Sequence, residues 1–164
     1  MPRSVNVSLP RPPKRAIITV VNAPPYDPRY LAGLRLYHLG RYWDSHEAWE
    51  EIWRESQGPV RHFFQGLIQV DAAIIHTQRG HWGGVANLLA RSLGHLEQCP
   101  DSMLGMDVAR LRNQLRAYRR EILVLKEGRK EAFDGSLCPD LAVEGIDQEA
   151  LITMEDEHAT HPVG

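Results

Sequence analysis

The chain has 164 residues, 43% of them hydrophobic and 24% charged, with a formal net charge of −2. That composition supports one hydrophobic core, excludes a disordered or fibrous chain, and offers no apolar run near the ~20 residues that span a bilayer. The near-zero charge hides a division: residues 1–26 carry four bases and no acid, residues 27–130 sum to +3, and residues 131–164 carry nine acids and no Lys or Arg. These shifts mark a Pro-rich basic arm over 1–26, a body over 27–130 and an acidic tail over 131–164.

Seven of the eleven prolines fall in the first 28 residues, which opposes helix there and favours an extended arm. The apolar run at 17–21 in that arm suits docking as a strand, and it is too short for the core of a signal peptide. The two cysteines, Cys99 and Cys138, lack C-x-x-C spacing, so a zinc knot, a dithiol motif and a disulfide framework lack support. A cytoplasmic protein is the expectation.

From Asp27 the punctuation becomes helical. Asp27 and Pro28 form a cap and a first-position proline, predicting a helix over 28–39 that stops at Gly40. A second helix is expected over 42–55, ended by Gly58, and Pro59 opens a third that runs to 78 before Gly80. A fourth follows over 82–98 with Pro100 behind it. Val108, Leu111, Leu115, Tyr118, Ile122 and Leu125 recur three and four apart and define a fifth helix before Gly128. A shift of 40 residues lays Gly40 on Gly80, Tyr42 on Trp82, Trp49 on Leu89 and Trp53 on Leu93. The fold class expected is therefore all-α, a five-helix bundle of two tetratricopeptide-like hairpins plus a closing helix.

The same shift lays His46 and Glu50 on Ala86 and Ala90. A His and a carboxylate one turn apart, beside Tyr42, Trp49 and Trp53, must satisfy each other, bind something, or do both. On the third helix Gln65, Gln69 and His76 share a stripe, while Asp71 interrupts the apolar face between Ile68 and Ile75. Hairpin geometry brings these stripes together as a small polar site.

The residues His46, Glu50 and Trp53, with the block Phe64-Gln-Gly-Leu-Ile-Gln69 and Arg79-Gly80, resemble the domain of unknown function 309 family, whose signature is H-x-x-x-E-x-x-[W/Y]. The resemblance spans about residues 30–127 and implies a helical fold and metal binding without an assigned reaction. A metal reading takes His46, Glu50 and His76 as ligands, with Asp71 next, a donor set suited to Zn²⁺, Mn²⁺ or Fe²⁺. Trp49, Trp53, Gln65, Gln69 and Asp71 would line the ligand site. The same polar residues could equally lock the second and third helices in register. The leading expectation is a binding or scaffold module for a protein partner or small ligand. The alternative is a metal-dependent, hydrolytic enzyme whose base would be Glu47 or Glu51.

Elsewhere the signals are weaker. His62, His95, His158 and His161 read as surface residues, and the glycines at 80–84 match no phosphate-binding motif. Residues 107–130 carry eight bases against three acids, yet the pI near 6.4 and the acidic tail argue against nucleic acid. The expectation is that the tail folds back and screens this face. The oligomeric state stays open.

Overall fold

The computed structural model describes residues 25–154. The arm over 1–24 with its apolar run, the end of the tail over 155–164, and His158 and His161 lie outside the described residues. Six helices dominate: α1 (Pro28–His38), α2 (Tyr42–Glu55), α3 (Gly58–Gln78), α4 (Trp82–Leu96), α5 (Val108–Lys126) and α6 (Gln148–Thr153). A two-stranded antiparallel hairpin of β1 (Ser102–Met103) and β2 (Met106–Asp107) completes the secondary structure, apart from a 3₁₀ turn at Gly135–Leu137. The protein is mostly helical, as the periodicity implies.

Local chemistry explains the boundaries. Asp27 caps α1 by accepting a hydrogen bond from the Arg29 amide at 2.8 Å, and Pro28 occupies the first helical position. Asp107 caps α5 by accepting from the Arg110 amide at 2.9 Å. Gly40 and Gly80 take φ of +76° and +70° where α1 and α3 end, a backbone conformation that few side chains tolerate.

Each of the first four helices packs on the next in sequence, and α6 packs on α1. Two close approaches set the spacing. A Cβ on Gly33 would stand 2.2 Å from Trp49 Nε1, so α1 meets the α2 indole at a glycine, and the indole N–H donates to Tyr30 O at 3.1 Å. On α3, a Cβ on Gly66 would stand 2.7 Å from Leu96 Cδ2, and Ser92 Oγ donates to the Gly66 carbonyl at 2.8 Å. Trp49, Ile52, Phe63, Phe64, Leu67, Leu89, Leu115 and Tyr118 fill the core between them.

The described part of the acidic segment joins this core. Leu141, Val143 and Leu151 are buried, Phe133 packs on Tyr118 with ring centroids 4.9 Å apart, and Val143 bridges to Met106. Backbone carbonyls of the segment receive core phenols: Tyr37 donates to Pro139 O, and Tyr26 to Glu144 O at 2.8 Å. Tyr30 in turn donates to Leu104 O at 3.0 Å in the hairpin turn. With α5 the segment shares a single ion pair among the described residues, Arg110 to Asp140 at 2.8 Å, and Gln114 adds a hydrogen bond to Asp140 at 3.2 Å. The fold-back is thus built from apolar burial and main-chain acceptors, with little charge screening.

Candidate functional site

The register of α2 against α3 positions the predicted residues. Arg61 lies 4.0 Å over the Trp53 ring at one end of the seam, and the Ser45 hydroxyl faces the Asp71 carboxyl toward the other. These two contacts run the helices antiparallel and set His46 level with Gln69. His76 then falls level with the turn at Gly40, past the start of α2. By periodicity Ser45 and His46 point about 100° apart, and Gln69 and Asp71 about 200° apart, so the seam has an inner and an outer polar place.

The outer place holds His46 and Glu50. His46 Nδ1 lies 3.7 Å from Glu50 Oε2, an ion-pair separation too long for a hydrogen bond, while Glu50 Oε1 lies 3.3 Å from Arg54 Nη2. Both are partly exposed, and the exposed Trp43 indole stacks parallel to the His46 ring at 5.4 Å. Neither His46 nor Glu50 hydrogen-bonds to Gln65, Gln69 or His76. His76 instead turns its Nδ1 toward His81 Nδ1 at 3.4 Å, near the surface. The structure therefore brings His46 and Glu50 together and leaves His76 apart from them. Trp49 is wholly buried and Trp53 half-buried under Arg61, so both act in packing. Glu51 lies toward α1, 3.6 Å from Arg29 Nη1, and Glu47 is exposed.

The inner place is one that sequence reasoning found only in part. Asp71 has no exposed surface, and burial pushes its carboxyl up to about 9, with Ser45 pulling weakly the other way. Yet neither Ser45 Oγ nor either Asp71 oxygen makes a well-formed hydrogen bond. Burial also pushes the Tyr37 phenol well up, and Cys138, Tyr42 and Asp71 add to that. Ser45 went unread, although the 40-residue shift lays it on Val85, a buried apolar position.

Among the described residues, buried polar side-chain atoms without a hydrogen-bond partner gather along this seam: Ser45 Oγ, His46 Nδ1, Gln69 Oε1 and both Asp71 oxygens. Such orphans are uncommon in folded proteins and mark a place where a guest or water completes the bonding. A divalent ion would find an imidazole and a carboxylate in His46 and Glu50. Among the described residues no three His, Cys, Asp or Glu side chains gather into a metal-holding group. An ion at this place would draw on the Gln69 amide oxygen or keep water on its remaining positions.

A second histidine pair lies across α3 and α4. His62 and His95 meet at Nδ1 to Nδ1, 2.9 Å, with rings 5.2 Å apart, and so are partners where the sequence suggested isolated surface residues. Their separation of 33 positions carries no periodic signal. Burial, with help from His62, lowers the His95 imidazole.

Comparison with known proteins places these residues in context. Residues 30–88 match the family model described as domain of unknown function (DUF309), which covers α2 and α3 entirely. An uncharacterized protein of Aquifex aeolicus (strain VF5) is 27% identical over 92 residues, 56% of this chain and 26% of the relative. The uncharacterized protein YpuF of Bacillus subtilis (strain 168) is 29% identical over 120 residues, 65% of this chain and 69% of the relative. The chain thus spans about a quarter of the Aquifex protein's length.

Proposed function

Over residues 30–88 the chain carries a domain of the DUF309 family, and from that premise we propose that it is a helical binding module whose α2–α3 seam takes a small guest. In this reading α1–α2 and α3–α4 are two tetratricopeptide-like hairpins, α5 closes the open end, and the thiols Cys99 and Cys138 stay free in the cytoplasm. The guest at the outer place is a divalent cation held in exchange with solvent by His46 and Glu50, with Gln69 as an oxygen donor at the same level. The observation that carries the reading is the gathering of unpartnered buried polar atoms on this one seam. Partial exposure of His46 and Glu50 supports a labile site over a structural one, because the pair is reachable from water. When bound, such an ion would supply Lewis acidity to its own coordinated water.

The test is metal analysis and thermal unfolding of tag-free full-length protein with added Zn²⁺ or Mn²⁺. Wild type is expected to retain or take up close to one ion and to melt higher with it, by mass action. His46→Gln and Glu50→Gln are expected to lose the ion while melting as the metal-free wild type does. Equal uptake by wild type and both variants would exclude this assignment.

A further inference from the structure

Between α4 and α5 lies an open groove of about 210 Å³ lined by Leu93, Arg116, Arg119 and Arg120. The three arginines stand at i, i+3 and i+4, so their guanidinium groups share one face of α5. Like charges at this spacing repel and weaken a helix unless something neutralises them. Little in the described residues does. Arg120 makes no ion pair or hydrogen bond among the described residues, and Arg116 has Glu97 at a long 3.9 Å on the rim and the Asn113 amide oxygen at 2.9 Å. Arg119 is fixed by its Nε, which donates to the Ala86 carbonyl at 3.2 Å, so its terminal nitrogens are held in place at the groove. The described part of the acidic segment does not fill the gap, because its ion pair with an α5 arginine is Asp140 with Arg110, two turns nearer the start of the helix than Arg116 to Arg120.

We propose that this groove binds a phosphoryl anion of a small molecule, received by the convergent guanidinium groups of Arg116, Arg119 and Arg120 over the apolar floor of Leu93. Planar guanidinium forks match the oxygens of a phosphoryl group and bind them in pairs, which a point charge does not. The residues lining the groove include no carboxylate, and the acid at its rim, Glu97, stands 3.9 Å from Arg116 against three arginines. The anchored Arg119 lowers the ordering cost of binding, while Arg116 and Arg120 close from the exposed side. This site lies on helices other than the α2–α3 seam and does not depend on the guest proposed there.

The test is calorimetric titration of the full chain with inorganic pyrophosphate at low salt and at 0.15 M salt, a concentration at which charges are screened beyond about 8 Å. Wild type is expected to bind one equivalent. Arg116→Gln/Arg120→Gln is expected to bind at least about tenfold more weakly with a melting temperature no lower than that of wild type, since both side chains are exposed and their mutual repulsion is removed. Arg79→Gln/Arg91→Gln makes the same charge change on exposed positions outside the groove and is expected to bind as wild type does. An Arg116→Lys/Arg120→Lys variant that binds weakly supports fork recognition. Equal weakening in the control pair overturns the proposal, as does no binding by wild type. Retention of a single-stranded oligonucleotide through these arginines, without pyrophosphate binding, would make the groove a nucleic-acid contact and would also overturn it.

Discussion

Asp71 concentrates the residue-scale chemistry, because its side chain is fully buried without a well-formed partner. Its folded value of about 9 lies above the ordinary 3.8, so the native state keeps a proton that the unfolded chain has released. The stability tied to that proton is complete below pH 3.8 and is lost as pH rises toward about 9. Wild type should therefore weaken between pH 5 and pH 8 by a few kcal/mol, at a limiting slope of ~1.4 kcal/mol per pH unit. Asp71→Asn keeps the shape without the ionisable group and should flatten that slope in urea unfolding measured at both pH values. His46 and Glu50 were legible beforehand because an i, i+4 pair is fixed by the helix itself. Ser45 beside Asp71 was not, since their meeting depends on how two helices slide past one another.

At the scale of elements, helix packing turns on a few close approaches. Gly33→Ala places a methyl group against the Trp49 indole, which has a hydrogen bond to Tyr30 O and no room to move. The variant should lose about 1–3 kcal/mol and expose Trp49, seen as a red-shifted emission against an unchanged helical far-UV signal. The His62–His95 contact gives α3 and α4 a dependence on pH of the opposite sign to Asp71. One Nδ1–H donates to the other Nδ1 across 2.9 Å, and a proton added to the accepting nitrogen would set two N–H donors face to face and break that bond. With His95 lowered from 6.5, the folded protein binds fewer protons than the unfolded chain, so stability is lost as pH falls below 6.5. His95→Gln should remove that acid-side loss and leave the Asp71 slope in place, which two-dimensional NMR of the imidazoles and urea unfolding can separate. Helices were legible from caps, glycines and period, whereas β1 and β2 were not: two residues per strand cannot show alternation.

For the whole molecule, the acidic segment is the main revision to the picture drawn from charge. Nine acids facing a basic helix suggested screening, but the described part is held by Leu141, Val143 and Leu151 in the core and by phenol bonds to Pro139 O and Glu144 O. The Arg110–Asp140 pair is about half exposed on both sides and contributes little. Removing residues 131–164 should therefore lower stability by several kcal/mol, as each buried aliphatic side chain contributes roughly 1.5–3 kcal/mol as an upper estimate. Arg110→Gln should cost less than about 1 kcal/mol, and raising salt should change wild-type stability little. The core contacts of the segment's apolar residues were not legible in the sequence, since loop-borne contacts over a hundred positions leave no period to read.

The seam between α2 and α3 is the centre of the functional account, and the imidazole of His46 reports on it directly. The paired imidazoles His76–His81 and His62–His95 are competing donors, so the measurement uses full-length, tag-free protein with all four replaced by Gln. Zn²⁺ is added while the His46 ring resonances are followed by NMR. The account predicts a saturable shift of the His46 signals at one equivalent, abolished when Glu50→Gln is added to the same background with the fold intact. Unshifted His46 signals under saturating Zn²⁺, or an undiminished shift without the Glu50 carboxylate, would contradict it.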